Sequence, residues 1–194
     1  MTTTFDHSLK NNKKVRKAME FAKQRHGCQL RKDERTLYWV HLEQVVSNLL
    51  ILGIKDIDIL CAGWLHDTIE DTSTDFDDIN ERFGLEVAEM VAQVTKDKRL
   101  PKKEREKKYI KNLSKAPWPV QTIKLCDIMA NLSDLPNLPE SRAKKEEQVS
   151  NKLQYLMVLK NGLLNDKNKI PNLNVAVDII NSILVDYNRP AIKL

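Results

Sequence analysis

Four side chains able to bind a metal or carry a proton, His66, Asp67, Glu70 and Asp71, fall within six positions of the stretch 63–72. If that stretch is one continuous helix, His66 stacks with Glu70 and Asp67 with Asp71, each at i, i+4, in two adjoining columns. Such a cluster is costly to desolvate unless a positive charge sits among the carboxylates, and a divalent cation is the natural candidate. Further donors must come from elsewhere in the chain. His41 stands near the start of an apolar periodic segment. Asp127 is set among Cys126, Ile128 and Met129, where a buried carboxylate needs a partner. His41, His66, Asp67 and Asp127 would form a site of two imidazoles and two carboxylates with positions left for water and substrate. That donor set, free of thiolate, suits Mn²⁺ or Fe²⁺, with Zn²⁺ compatible. A plainer reading stands beside it: His41 as a helix-end or satisfied core histidine, and Asp127 as the ion-pair partner of Lys124.

The elements that must position these residues read as helices. The chain has 194 residues, 41% of them hydrophobic and 30% charged, with only 5 Gly and 7 Pro. A core is affordable at that composition, and the long breaker-free segments favour helices over a turn-rich β protein. The expectation is a single all-α domain over 1–194, a bundle of about eight or nine helices. Its first helix spans about 9–26, with Ser8 as N-cap. A polar loop over 27–36 precedes a helix over 38–52 that stops at Gly53. Asp56 caps the next, which leads into the 63–72 stretch. Thr74 and Asp77 read as a capping box for a short helix ending near Gly84. Helices then follow over 85–95, to about 115, over 120–135, and over 141–163 and 172–187.

The net charge of +5 is concentrated in residues 96–108, where eight Lys and Arg outnumber the acids. Most of these read as a solvated helix face and its approach loop. No aromatic residues are interleaved for base stacking, which argues against single-strand nucleic-acid binding, whereas a small, highly phosphorylated substrate suits the charge. No apolar run approaches the roughly 18–20 residues of a membrane span, and the opening residues carry no apolar signal core. Cys61 and Cys126 read as small core residues, and the three widely separated cysteines suit a reduced, cytoplasmic protein.

Read against known families, the pattern His41 … His66-Asp67 … Asp127 resembles the HD-domain superfamily of metal-dependent phosphohydrolases. Four stretches resemble the hydrolase domain of RelA/SpoT-type enzymes: His26-Gly27-Cys28-Gln29-Leu30-Arg31-Lys32, His66-Asp67-Thr68-Ile69-Glu70-Asp71-Thr72, Val94-Thr95-Lys96-Asp97-Lys98, and Ile123-Lys124-Leu125-Cys126-Asp127-Ile128-Met129-Ala130-Asn131-Leu132. They occur in the family's order and cover about 15–135. The resemblance is to the stand-alone small alarmone hydrolases, and it implies removal of the 3′-pyrophosphate of (p)ppGpp. It also implies that His41, His66, Asp67 and Asp127 hold Mn²⁺ and that Glu70 and Asp71 are the catalytic acidic pair. Arg31, Lys32 and Asn131 fall on nucleotide- and phosphate-contacting positions, and Lys98 would join the two cations in offsetting the diphosphates. An NADPH 2′-phosphatase or another nucleotide phosphohydrolase, and a nucleotide sensor without turnover, remain the alternatives. Leu37 and Leu42 stand where prolines commonly flank the family's metal histidine, and Ser133 where many members have Arg.

Overall fold

The computed structural model describes residues 12–194, and among them the regular elements are all helical. The one β-type contact is an isolated antiparallel bridge between Leu30 and Leu37 that pins the base of the expected loop. The helices are α1 (Lys13–His26), α2 (Trp39–Ile51), α3 (Ile57–Leu65), α4 (Thr68–Asp71), α5 (Phe76–Phe83), α6 (Leu85–Val94), α7 (Lys102–Leu113), α8 (Trp118–Asp134), α9 (Arg142–Asn165) and α10 (Leu173–Asp186). No described helix is long and apolar enough to cross a membrane.

α8 is the axis of the molecule. Eleven of its 17 residues are buried, and it packs against α2, α3, α6, α9 and α10. A helix enclosed on so many sides can keep a charge such as Asp127 only if neighbouring elements bring its partners. α1 lies on α3, and α3 lies on α2 at Gly63, where an added Cβ would stand 2.7 Å from Leu49 Cδ1. That close approach sets the distance between the two histidine-bearing segments.

Helix ends follow their caps. The Asp56 side chain accepts from the Asp58 and Ile59 N–H groups as expected, and Gly53 takes φ +83° after α2, a conformation that favours glycine. The Ser8 cap and the helix start near residue 9 lie outside the described residues, within which α1 starts at Lys13 with Asn12 as its N-cap. Two expectations differ. The capping box is one residue later, Asp75 with Asp78, because Thr74 is buried and its hydroxyl accepts from Thr72 Oγ1. Most consequential, the 63–72 stretch is not one helix. α3 ends at Leu65, His66 and Asp67 form a turn, and α4 is a single turn. The side chains cause the break: Thr68 Oγ1 donates to the Leu65 carbonyl at 2.7 Å, and His66 Nδ1 lies 2.9 Å from the Gly63 carbonyl. Both offer the last α3 carbonyls a partner other than the next helical N–H.

Candidate metal centre

The break in the helix aims His66 and Asp67 at the same point. From α2, His41 brings Nε2 to 3.2 Å from Asp127 Oδ1 and 3.7 Å from Asp67 Oδ2. His66 Nε2 lies 3.1 Å from Asp67 Oδ2 and 4.0 Å from Asp127 Oδ1. One donor atom from each of His41, His66 and Asp127 falls within 4.8 Å of the others, and all three residues are buried. Donors about 2.1 Å from a shared ion stand roughly 3.0 to 4.2 Å apart, depending on geometry, and the four imidazole–carboxylate separations fall in that range. The ring nitrogens support the same fit. His66 Nδ1 donates to the Gly63 carbonyl, which leaves Nε2 as the nitrogen turned inward, and that buried Nε2 has no hydrogen-bond partner among the described residues.

The charges at this point are strongly coupled. Burial pushes the His41 pKa down despite Asp127. Burial acts on His66 in the same direction, but the Asp67 carboxylate beside it carries its pKa up to about 9. Asp67 is held below the usual carboxylate range, since His66 and His41 outweigh its burial. Asp127 is held well below it, since Lys124 and Lys152 outweigh burial there. Lys124 Nζ stands 2.7 Å from Asp127 Oδ2. The ion pair uses one oxygen of Asp127 and leaves the other turned toward the two histidines, so it does not conflict with a metal-ligand reading. Asn131 donates to the Asp127 carbonyl at 2.9 Å and also reaches Oδ1, so it orients that carboxylate.

Glu70 and Asp71 sit beside the centre on α4. Glu70 accepts from the Lys96 N–H at 2.9 Å, and burial raises its pKa above the ordinary value. Asp71 is held by Lys98 Nζ at 2.5 Å, while the Tyr38 hydroxyl donates to Asp67 Oδ2 at 2.7 Å and lies 3.1 Å from Asp71 Oδ2. His41, His66, Asp67, Glu70, Asp71, Lys32, Asn131 and Asp127 line one cavity of about 310 Å³. The other two expected substrate contacts are engaged with acids: Lys98 on Asp71, and Arg31 in an ion pair with Asp134 at 2.6 Å.

Two further amines at the cavity, Lys96 and Lys152, were not expected there from the sequence. Lys96, expected on a solvated face, turns inward and donates to Glu106 at 2.6 Å and to Tyr155 at 2.7 Å. Lys152 on α9 also lines the cavity, and burial holds its pKa down to about 8. One signal for it was available: position 152 falls on the stripe 149, 156, 159, 163, otherwise apolar and buried. Tyr38 carried no such mark.

Comparisons with known proteins agree with this geometry. The HD domain family matches residues 18–155. The guanosine-3′,5′-bis(diphosphate) 3′-pyrophosphohydrolase MESH1 of Drosophila melanogaster is 34% identical over 170 residues, covering 86% of this chain and 92% of that protein. The enzyme of the same name from Xenopus tropicalis is 34% identical over 152 residues, covering 77% and 84%. A guanosine-3′,5′-bis(diphosphate) 3′-pyrophosphohydrolase of Aquifex aeolicus is 34% identical over 167 residues, which are 84% of this chain and 24% of that longer one. Among solved structures, a metazoan ortholog of SpoT described as hydrolyzing ppGpp superposes with a TM-score of 0.77 at 28% identity, covering 90% of this chain and 95% of the other.

Proposed function

This chain belongs to the HD domain family, and from that premise we propose that it hydrolyses the 3′-pyrophosphate of ppGpp and pppGpp, giving GDP or GTP and pyrophosphate. The observation that carries the reading is the meeting of four metal-type donors with an acidic pair at a cavity walled by amines. The relatives named for this reaction, matched over most of their length, supply the substrate class.

His41, His66, Asp67 and Asp127 are the residues that would hold a divalent ion, which we propose to be Mn²⁺, with Fe²⁺ or Zn²⁺ also compatible with the donors. Such an ion, when bound, lowers the pKa of its water and polarises a phosphoryl oxygen. Hydrolysis breaks the bond between the ribose 3′ oxygen and phosphorus, adds the water oxygen to phosphorus, and requires one proton to leave the water and one to reach the 3′ oxygen. Glu70, whose carboxyl is held above its ordinary pKa by burial, is the better suited of the pair to take a proton. Asp71, fixed from two sides by Tyr38 and Lys98, is the second member of the pair. Lys32, and Arg31 with Lys98 once the substrate competes for their acidic partners, offset the diphosphate charge. Asn131 keeps Asp127 oriented.

The motif-bearing helices and the C-terminal helices share one core, since α9 and α10 pack on α8, which supports reading 1–194 as a single phosphohydrolase domain. Metal-stripped protein incubated with ppGpp should release pyrophosphate only when Mn²⁺ is restored. Release of orthophosphate from NADPH with no action on ppGpp would replace this reading with a 2′-phosphatase, and binding of ppGpp without product would replace it with a sensor.

A further inference from the structure

Four lysines line the cavity, and three have partners: Lys124 pairs with Asp127, Lys96 bonds Glu106 and Tyr155, and Lys32 Nζ donates to Gln148 Oε1 at 3.0 Å. Lys152 makes no hydrogen bond or ion pair among the described residues. It is half-buried on α9 and lines the cavity, and the charges that act on it are those of Asp127, Lys124, Lys96 and Asp67. An amine drawn into a protein wall with no hydrogen bond or contact ion pair is costly, and its cost falls when an anion arrives. Position relative to Lys32 narrows the anion. Gln148, which holds the Lys32 ammonium, precedes Lys152 by four residues, just over one helical turn or about 6 Å along the axis. The Lys32 amine is thus tied to the turn of α9 before the one that carries Lys152, and both lysines line the cavity of the metal-type donors. A single phosphoryl group satisfies one such amine, whereas the oxygens of a diphosphate reach both.

We propose that Lys152 is the specificity-determining contact by which this site selects a pyrophosphoryl group over a single phosphate, with Lys32 on Gln148 as the second arm. The inference rests on the hydrolase reading for its place in the reaction but not for its test. Inorganic pyrophosphate and inorganic phosphate, with Mn²⁺ kept in excess, serve as probes. In the wild-type protein, pulse acetylation of amines followed by peptide mass spectrometry should show Lys152 slowed at least tenfold by saturating pyrophosphate and much less by phosphate. Lys152→Met should weaken pyrophosphate binding about tenfold to a hundredfold, the scale of a hydrogen bond to a charged group. It should leave phosphate binding within about threefold, and Lys152→Arg should restore most of the difference. An acetylation rate at Lys152 that saturating pyrophosphate does not alter overturns the proposal, and this measurement needs no variant to fold. Equal losses for both anions in Lys152→Met overturn the selectivity. If the wild type fails to cleave ppGpp while Lys152 is still protected by pyrophosphate, the hydrolase reading fails and the anion contact stands.

Discussion

Lys124→Met separates the two roles of Asp127. In the metal-free protein the Lys124 ammonium is the cation on Asp127 Oδ2, at 2.7 Å, with side-chain exposures of only 12% and 8%. Methionine keeps the length and apolar stem but leaves a buried carboxylate with one cation fewer. Removing one partner of a buried pair costs about 3–5 kcal/mol, or roughly 6–20 °C in Tm for a chain of this size. A divalent ion among His41, His66, Asp67 and Asp127 changes that sum, because it supplies positive charge to the same carboxylate and no longer competes with Lys124. Mn²⁺ at a hundred times its Kd stabilises the wild type by about 2.7 kcal/mol, and the gain in Lys124→Met should be larger. The assay is urea unfolding of both proteins, metal-stripped and Mn²⁺-saturated, read as a double-mutant cycle. If the substitution costs the same in both forms, to within about 0.5 kcal/mol, then the ion does not bind at Asp127 and the reasoning is wrong.

Two further outcomes follow from local geometry. The Asp33 carboxylate receives the Thr36 hydroxyl at 2.5 Å and the Thr36 and Arg35 N–H groups, which hold its pKa down to about 2. A depressed carboxylate stabilises the folded loop above the unfolded pKa near 3.8 and loses that contribution as pH falls toward 2. NMR titration should place the Asp33 midpoint near 2, and Thr36→Val should move it upward; an unchanged midpoint would discount the hydroxyl. Gly63→Ala puts a Cβ at 2.7 Å from Leu49 Cδ1 and 3.2 Å from Val46 Cγ2, both in the buried core. Overpacking of about 1–3 kcal/mol should exceed the roughly 1 kcal/mol that Ala gains over Gly in a helix, so thermal unfolding should show net destabilisation rather than the usual gain.

How much of this was legible in the sequence depends on the range over which each feature is decided. The helices were legible, because their apolar periodicity and caps such as Asp56 act within a turn or two. Asp127 was legible as a problem, a carboxylate in an apolar helix, though its use of one oxygen for Lys124 and the other toward His41 was not. The break at His66 and Asp67 escaped because helical periodicity continues through it; only the side-chain bonds of His66 and Thr68 to preceding carbonyls reveal it. Arg31 could be marked as a cation, but its partner Asp134 lies 103 residues on, and no local pattern announces a pairing at that distance. The basic run 96–108 divided likewise. Lys102, Lys103, Lys107 and Lys108 are exposed as a solvated face should be, while Lys96 turns inward because Glu106 and Tyr155 meet it there.

The central claim is that one divalent ion, held by His41, His66, Asp67 and Asp127, works beside Glu70 and Asp71. Equilibrium dialysis against Mn²⁺, run with a pyrophosphate-release assay on the same three proteins, tests it most directly. Wild type should bind one equivalent and turn over ppGpp, Asp71→Asn should bind one equivalent and lose turnover, and Asp127→Ala should bind none and be inactive. An Asp127→Ala protein that keeps its Mn²⁺ and full activity would contradict the coordination and the mechanism built on it.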